Sequence, residues 1–342
     1  MVAISFKPTQ TAKKLLSVLR ERDRDVLTRR YGLGPDVEKM TLEAIGEVYG
    51  ITRERVRQVE NFALGSIKKS EIFSKEQVAL EDLRVLISSL GGVVGERDLL
   101  EYISKNEDVQ NNVTFLMVLG DSFSKKKECK HFKHRWVVDE EISQTVEESL
   151  KALYENLSDD DLISEGEMIA SFLDHLKDIS EKYKNEEILK RWLALSKTVA
   201  KNPLDEWGIA TSPNINARGI RDYAFLVIRD HGSPMHFTEV SKAVSSLFKK
   251  KAHIATCHNE LIKDKRFVLV GRGLYALSEW GYEGGVVKDV IRKIIEKVGP
   301  MTKDEIIEKV LKERYVKANT VVVNLQDIDR FKKDEAGRYS LR

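Results

Sequence analysis

The stretch Thr41–Leu64, TLEAIGEVYGITRERVRQVENFAL, constrains this chain more than any other. Thr41 is a good N-cap, and Leu42, Ile45 and Val48 follow at spacings that place them on one helical face. Gly50 supplies a corner open to left-handed backbone. Thr52 caps a second helix starting at Arg53. Val56, Val59 and Ala63 recur three or four residues apart and are expected to face inward. Arg53, Glu54, Arg57 and Gln58 then project outward from the first two turns. Two helices meeting at such a corner form a helix-turn-helix. The leading turns of its second helix enter the major groove while the first helix crosses the backbone. The residue types suit base edges: Arg pairs with guanine, Glu accepts from cytosine, Gln contacts adenine. The Thr41 hydroxyl and the helix N-termini suit phosphate. An isolated RERVRQ string would equally describe surface ion pairs at i, i+3 and i+4. With caps, corner and upstream residues all in register, the DNA-reading interpretation is the stronger one.

These residues closely resemble region four, the promoter-reading domain, of the housekeeping sigma-seventy-type sigma factors. The upstream residues Leu19, Arg22, Arg24, Val26, Leu27, Arg30, Tyr31, Gly32 and Leu33 reproduce that family's L..R.R.VL..RYGL string, and TLEAIG and GITRERVRQVE follow at its spacing. The resemblance runs from about Ala12 to Lys69. It implies that Arg53, Glu54, Arg57 and Gln58 read the upstream promoter hexamer. It implies that Thr41, Leu42 and Arg55 lie near the phosphate backbone, and that the same domain docks on the flap of the RNA polymerase beta subunit. No tract resembles the aromatic-rich sigma region that melts promoters, which would precede this domain. The expectation is therefore a promoter-reading head on another kind of regulator, assigned to residues 1–74.

The chain has 342 residues, beyond the roughly 100–200 of a usual domain. Six prolines in that length favour helix. No apolar run approaches the roughly 18 residues of a membrane span, and Met1 to Gln10 lacks the apolar core of a signal peptide. Two cysteines, Cys129 and Cys257, give no disulfide framework. The expected location is cytoplasmic, with no membrane partner. The net charge of +2 is unevenly spread. Asp139 to Glu187 holds 16 acidic and 4 basic residues, a local −12, so the remainder carries +14. A basic body broken by an acidic segment fits nucleic-acid binding, although charge runs are also ordinary solvated helix faces.

Three later segments share a pattern: His231–Trp280, Val298–Leu341 and, more weakly, Leu90–Asp139. Each opens with Gly near a short extended piece, followed by an amphipathic helix, as Val240, Val244 and Leu247 or Ile306, Ile307 and Val310 illustrate. A second helix is expected at Ala252–Ile262, Ala318–Leu325 and Asn112–Leu119. Two strands close each copy. In the clearest copy these are Phe267–Val270 and Leu274–Leu277, with Gly271-Arg272-Gly273 as the turn. Helices followed by a hairpin make a winged helix. The expected fold class is mainly α: a helix-turn-helix domain plus winged-helix (α+β) modules at 78–140, 212–283 and 284–342, with an acidic helical spacer at 141–211.

The copy containing PMHFTEV, AHIATCHNELIKD and RFVLVGRGLYALSEWGY resembles the HARE-HTH winged helices and, through them, the RNA polymerase delta subunit. That resemblance implies DNA binding and perception of DNA modification. In this copy Lys251, His253, Thr256, His258 and Asn259 are polar positions of the second helix, and Lys265, Arg266 and Arg272 lie near the wing. Arg314, Lys317, Asn319, Thr320, Arg330, Lys332 and Lys333 play that part in the last copy. Lys125 to Lys127, Lys130, Lys133 and Arg135 do so in the first. Their expected role is phosphate contact; the bland alternative is a polar solvent face, and winged helices also bind protein.

No catalytic chemistry emerges. Cys129, His131 and His134 make a C-x-H-x-x-H string, short of the four paired ligands zinc usually takes. Cys257 lacks a positioned base. Gly91-Gly92 and Gly284-Gly285 precede no phosphate-binding loop. The expectation is no catalytic residue, metal, cofactor or small-molecule substrate. The expected partners are double-stranded DNA and RNA polymerase. The leading function is a sequence-specific transcription regulator; the alternatives are a polymerase-associated, delta-like accessory protein and a reader of modified DNA in a restriction or defence system.

Overall fold

Helix N-caps and left-handed glycines punctuate the chain. A computed structural model describes residues 4–35, 37–176, 179–282 and 284–342. It divides into two units, one of residues 1–200 and 207–210, the other of 201–206 and 211–342. The first unit begins with α1 (Pro8–Leu16), α2 (Glu21–Tyr31), α3 (Leu42–Tyr49), α4 (Arg53–Lys68) and α5 (Glu71–Lys75). It continues with α6 (Gln77–Ser89), β1 (Val93–Gly95), α7 (Glu96–Ile103), α8 (Glu107–Leu119), β2 (Ser124–Lys126) and β3 (Arg135–Val137). The acidic segment follows as α9 (Glu140–Glu155), α10 (Glu165–His175) and α11 (Glu186–Leu193), then the short strands β4 (Val199–Lys201) and β5 (Trp207–Ile209).

The second unit holds α12 (Ile220–His231), β6 (Met235–His236), α13 (Phe237–Phe248), α14 (Ile254–Lys263), β7 (Phe267–Gly271) and β8 (Leu274–Leu277). It ends with α15 (Val287–Val298), β9 (Met301–Thr302), α16 (Lys303–Glu313), α17 (Ala318–Leu325), β10 (Phe331–Lys333) and β11 (Arg338–Leu341). The fold is mainly α, with a helix-turn-helix and winged-helix modules.

The three repeats share one topology: helix, strand, two helices, hairpin. The last strand of each lies centrally, paired antiparallel with both others, in the orders β1-β3-β2, β6-β8-β7 and β10-β11-β9. The repeats begin earlier than the sequence pattern indicates. Each opens with a helix (α6, α12 or α15) ahead of the glycines at which the sequence pattern starts. Those glycines end the helix: Gly232 is its left-handed C-cap in the second copy, and Gly91, Gly92 and Gly299 also take positive φ.

Two expected boundaries change. The helix-turn-helix is not a separate domain of 1–74. Leu15, Leu16, Leu27, Tyr31, Ala63 and Ile67 share one core with Leu83, Val113, Phe115, Leu116 and Trp136 of the first winged helix. The second helix of that module, α8, starts five residues before the expected Asn112, and Val113 and Phe115 to Met117 are fully buried. It is structural rather than exposed. The acidic segment is helical but does not act as a spacer. Val146, Leu150, Leu153, Met168, Phe172, Leu189 and Trp192 share a second core with Val93, Phe132 and Val137 of the same winged helix. Most of its described carboxylates are exposed, Glu147 excepted, while its apolar face is consumed.

A buried ion cluster fastens that junction. The guanidinium of Arg135, only 4% exposed, donates to the Glu147 carboxylate at 2.8 and 2.9 Å; the Ser143 hydroxyl and Lys126 add further contacts. Arg135, expected on a wing facing DNA, is thus withdrawn from solvent. Burial alone would raise the Glu147 pKa, but these donors outweigh it and hold it below its ordinary 4.5. A carboxylate with a depressed folded pKa stabilises the fold above its unfolded value and loses that contribution as pH falls through the folded value. The first unit is therefore expected to lose stability steeply on acidification below about pH 4.5. A Glu147→Gln chain, less stable at neutral pH, should show a flatter melting-temperature profile there. Parallel profiles would remove Glu147 as the cause.

Candidate DNA-reading surface

The corner that carries the reading residues is built from local chemistry. The Thr41 hydroxyl accepts from the Ala44 amide at 3.1 Å, and the Thr52 hydroxyl from the Arg55 amide at 3.2 Å; such caps contribute about 1 kcal/mol each. Gly50 ends α3 at φ 63°, ψ 33°. Gly46 lets the two helices close: a Cβ there would lie 2.6 Å from the Ile51 carbonyl oxygen. Alanine is the better helix former by about 1 kcal/mol, but the obstacle is backbone and cannot swing aside. Gly46→Ala is expected to lower the melting temperature of the first unit and to open the α3–α4 angle. A variant as stable as the parent would show that the corner relaxes.

Val26, Ile45 and Val56 form the small core beneath, with Met40, Leu42, Tyr49, Ile51 and Val59 around it. Val48, expected on that face, is 54% exposed. The inner position at that turn is taken by Tyr49, four residues after Ile45. The scaffold helix α2 is tied in by polar contacts. Tyr31 donates to the buried Glu60 at 3.0 Å, and burial with that neighbouring carboxylate pushes its phenol pKa well up. Arg30 donates to the Met40 carbonyl at 3.2 Å. Partial burial opposes ionisation of Asp25, but hydrogen bonds from Tyr49 and Arg29 outweigh it and hold the carboxyl below its usual range.

Arg53, Glu54, Arg55, Arg57 and Gln58 are all exposed on the leading turns of α4. Arg57 grips Glu54 at 2.7 and 2.9 Å, which holds the Glu54 carboxyl below its ordinary value. Arg55 donates to Gln58 at 2.9 Å. Glu54, Arg57 and Gln58 are thus pre-arranged in free protein, with contacts weak enough in water to exchange for base edges. Thr41, Leu42 and Arg53 line one shallow recess with Glu43 and Arg30. Sequence reasoning used Arg30 only as part of a motif; its place in that recess depends on the α2–α4 packing.

The winged-helix candidates of the second unit separate into two groups. Lys251, His253, Thr256 and Asn259 are exposed at or on α14, and Arg272 is exposed in the hairpin turn. Lys317 caps α17, and Lys317, Asn319 and Thr320 are exposed. Four others are corrected. Arg266 is bound to Asp264 at 2.7 Å, Asp222 at 2.9 Å and Asn214 at 3.2 Å, so it braces the module. Arg314 is 4% exposed and donates to the Gly285 carbonyl. His258 stacks on Phe237, with ring centroids 4.2 Å apart. Leu247, expected inside, is 55% exposed. Helix α14 begins at Ile254, after its N-cap His253, rather than at the expected Ala252. Cys257 is buried, and burial pushes its thiol up to about 11, far from a reactive thiolate.

In the first winged helix Lys125 pairs with Glu96, and Lys126 with Glu140 and Glu147. No group of three or more His, Cys, Asp or Glu side chains among the described residues could hold a metal ion. No helix among them is long and apolar enough to cross a membrane.

Comparison with known proteins bears on one segment. Residues 15–69 match the family model described as Sigma-70, region 4. The RNA polymerase sigma factor SigA of Nostoc sp. is 48% identical over 56 residues, which is 16% of this chain and 14% of that protein. SigA1 of Synechococcus elongatus is 50% identical over 54 residues, 16% and 13%. SigA of Microcystis aeruginosa is 46% identical over 56 residues, again 16% and 13%. The match thus spans about one seventh of these relatives. Over this segment the chain is sigma-factor-like and carries a DNA-binding helix-turn-helix of the kind used in transcription.

Proposed function

We propose that this chain is a sequence-specific regulator that reads a promoter-like element in double-stranded DNA with the leading turns of α4. The observation carrying this reading is the joint exposure of Arg53, Glu54, Arg57 and Gln58 on a capped helix fixed at a left-handed corner. Those side chains can reach base edges in the major groove while Thr41, Leu42 and Arg55 address phosphates. RNA polymerase is the second proposed partner, through the beta flap. Phe62, 67% exposed on α4, gives a protein contact an aromatic anchor on the same domain. On this reading the chain is cytoplasmic, non-catalytic and needs no cofactor.

Footprinting with the full chain on promoter DNA tests this. A protected site resembling an upstream promoter hexamer is expected, with unchanged affinity after methylation. Co-purifying polymerase without DNA protection would replace it with the accessory reading, and methylation-dependent protection with the modification reader. On the protected site Arg57→Ala should cost about 1–3 kcal/mol and relax base preference at one position. An equal loss on all sequences would make Arg57 a backbone contact.

A further inference from the structure

The last two winged helices are joined by more than a linker. In the sheet order β6-β8-β7, β7 is an edge strand, and such edges are normally covered. Here the next module covers it. The Tyr315 amide donates to the Val270 carbonyl at 2.8 Å, and Gly271 and Tyr315 form a parallel bridge. The approach requires glycine: a Cβ on Gly271 would lie 2.8 Å from the Tyr315 carbonyl oxygen and 3.1 Å from its Cβ. The Tyr315 and Tyr282 side chains are hydrogen-bonded, and Arg314 donates to the Gly285 carbonyl, so both ends of the connection are pinned.

This bridge sets which exposed groups lie side by side. A parallel pair sends both chains out of the sheet at the same end. One residue beyond it is Arg272, exposed in the hairpin turn of the earlier module. Two residues beyond it is Lys317, the exposed N-cap of α17 in the later one, followed by Asn319 and Thr320. At about 3.3 Å per extended residue, the wing turn of one module borders the second helix of the other. Neither Arg272 nor Lys317 makes an ion pair among the described residues. Residues 211–342 carry 25 Lys and Arg against 17 Asp and Glu, a net +8. Unpaired cations from two modules, held at fixed spacing on a basic body, fit a partner with regularly spaced negative charge.

We propose that these two winged helices engage one double-stranded DNA as a single rigid surface, with Arg272 and Lys317 contacting neighbouring phosphates of the same backbone. This deepens the DNA-binding reading above while using residues remote from α4.

The test uses the full chain and a fluorescein-labelled 40-base-pair duplex of mixed sequence, with affinity followed by anisotropy across a salt series. Arg272→Gln and Lys317→Gln should each reduce the slope of log affinity against log salt by about 1, and the double variant by about 2. Additive slopes mean that both contacts exist in one bound state. Gly271→Val, which pushes Tyr315 away, should weaken binding with Arg272 and Lys317 still present. Amide exchange in α14 and α17 checks that both modules stay folded. If Gly271→Val unfolds a module, the two surface variants still decide. An unchanged slope in the double variant, or a slope lost only once, overturns the proposal. Adding Arg57→Ala separates the two readings: it should relax sequence preference at one base position and leave the Arg272 and Lys317 slopes intact. A chain that never discriminates sequences but shows these slopes refutes the α4 reading alone.

Discussion

Residues 1–74 produced alone are expected not to fold cooperatively, although they contain the whole helix-turn-helix. The small core of Val26, Ile45 and Val56 lies within them, but the larger support does not. Leu15, Leu16, Leu27, Tyr31, Ala63 and Ile67 complete their burial against α6 and α8. The Tyr31 and Phe115 rings sit 5.4 Å apart. The Asn111 side chain donates to the Gly32 carbonyl at 3.1 Å, and the Gly34 amide donates to Asp108 at 3.0 Å. Cutting at 74 exposes all of these positions at once. Within the full chain Phe115→Ala should cost about 3–5 kcal/mol, a large share of the roughly 5–15 that holds a domain together. It should weaken DNA binding although Phe115 is fully buried and far from any base-reading candidate in sequence. Circular dichroism melts of 1–74 and 1–210 provide the check. A sharp transition and full helix content in 1–74 would show that the head is autonomous. On the proposed reading, DNA bound at α4 and events at the first winged helix act on one packed body, not on modules joined by a flexible tether.

What the sequence revealed and what it hid follow the range of the interactions. Thr41, Gly50 and Thr52 act through hydrogen bonds and dihedrals within a few residues, so the corner and its exposed face are legible from spacing alone. The hairpin turn at Gly271-Arg272-Gly273 is legible for the same reason. Arg266 and Arg135 look identical to phosphate-binding cations until Asp222, forty-four residues away, and Glu147 are brought beside them. The acidic segment misled differently. Its charge and helical spacing fit a spacer, whereas the surface on which its apolar face packs, through Met168, Phe172, Leu189 and Trp192, is not visible in one dimension. The first helix of each repeat was missed because the glycines marking its end are stronger local signals than its beginning. The helix expected at Asn112–Leu119 is present as α8, but its burial is hidden in the sequence because its apolar content matches that of an ordinary recognition helix on its inner face.

Trp192→Ala is the second large effect, and it tests whether the acidic segment is part of the first unit. Trp192 is fully buried on α11, with the Tyr183 ring 5.9 Å away. It packs over Gly91, at the end of α6, so closely that a Cβ there would be 2.7 Å from its indole nitrogen; the Ile188 side chain would be 2.9 Å away. The glycine and the tryptophan thus fit one another across about a hundred residues. Removing the indole should cost about 3–5 kcal/mol and loosen α9 to α11 from Val93, Phe132 and Val137. Deleting residues 141–200 should do more and impair binding by α4, since the core that holds the helix-turn-helix continues into the same winged helix. Native-state amide exchange resolves the outcome residue by residue. Protection should fall in α6, α8 and α9 together and remain in α12 to α17, which belong to the other unit. If only α11 loses protection, the acidic segment is an appendage and the first unit ends at β3.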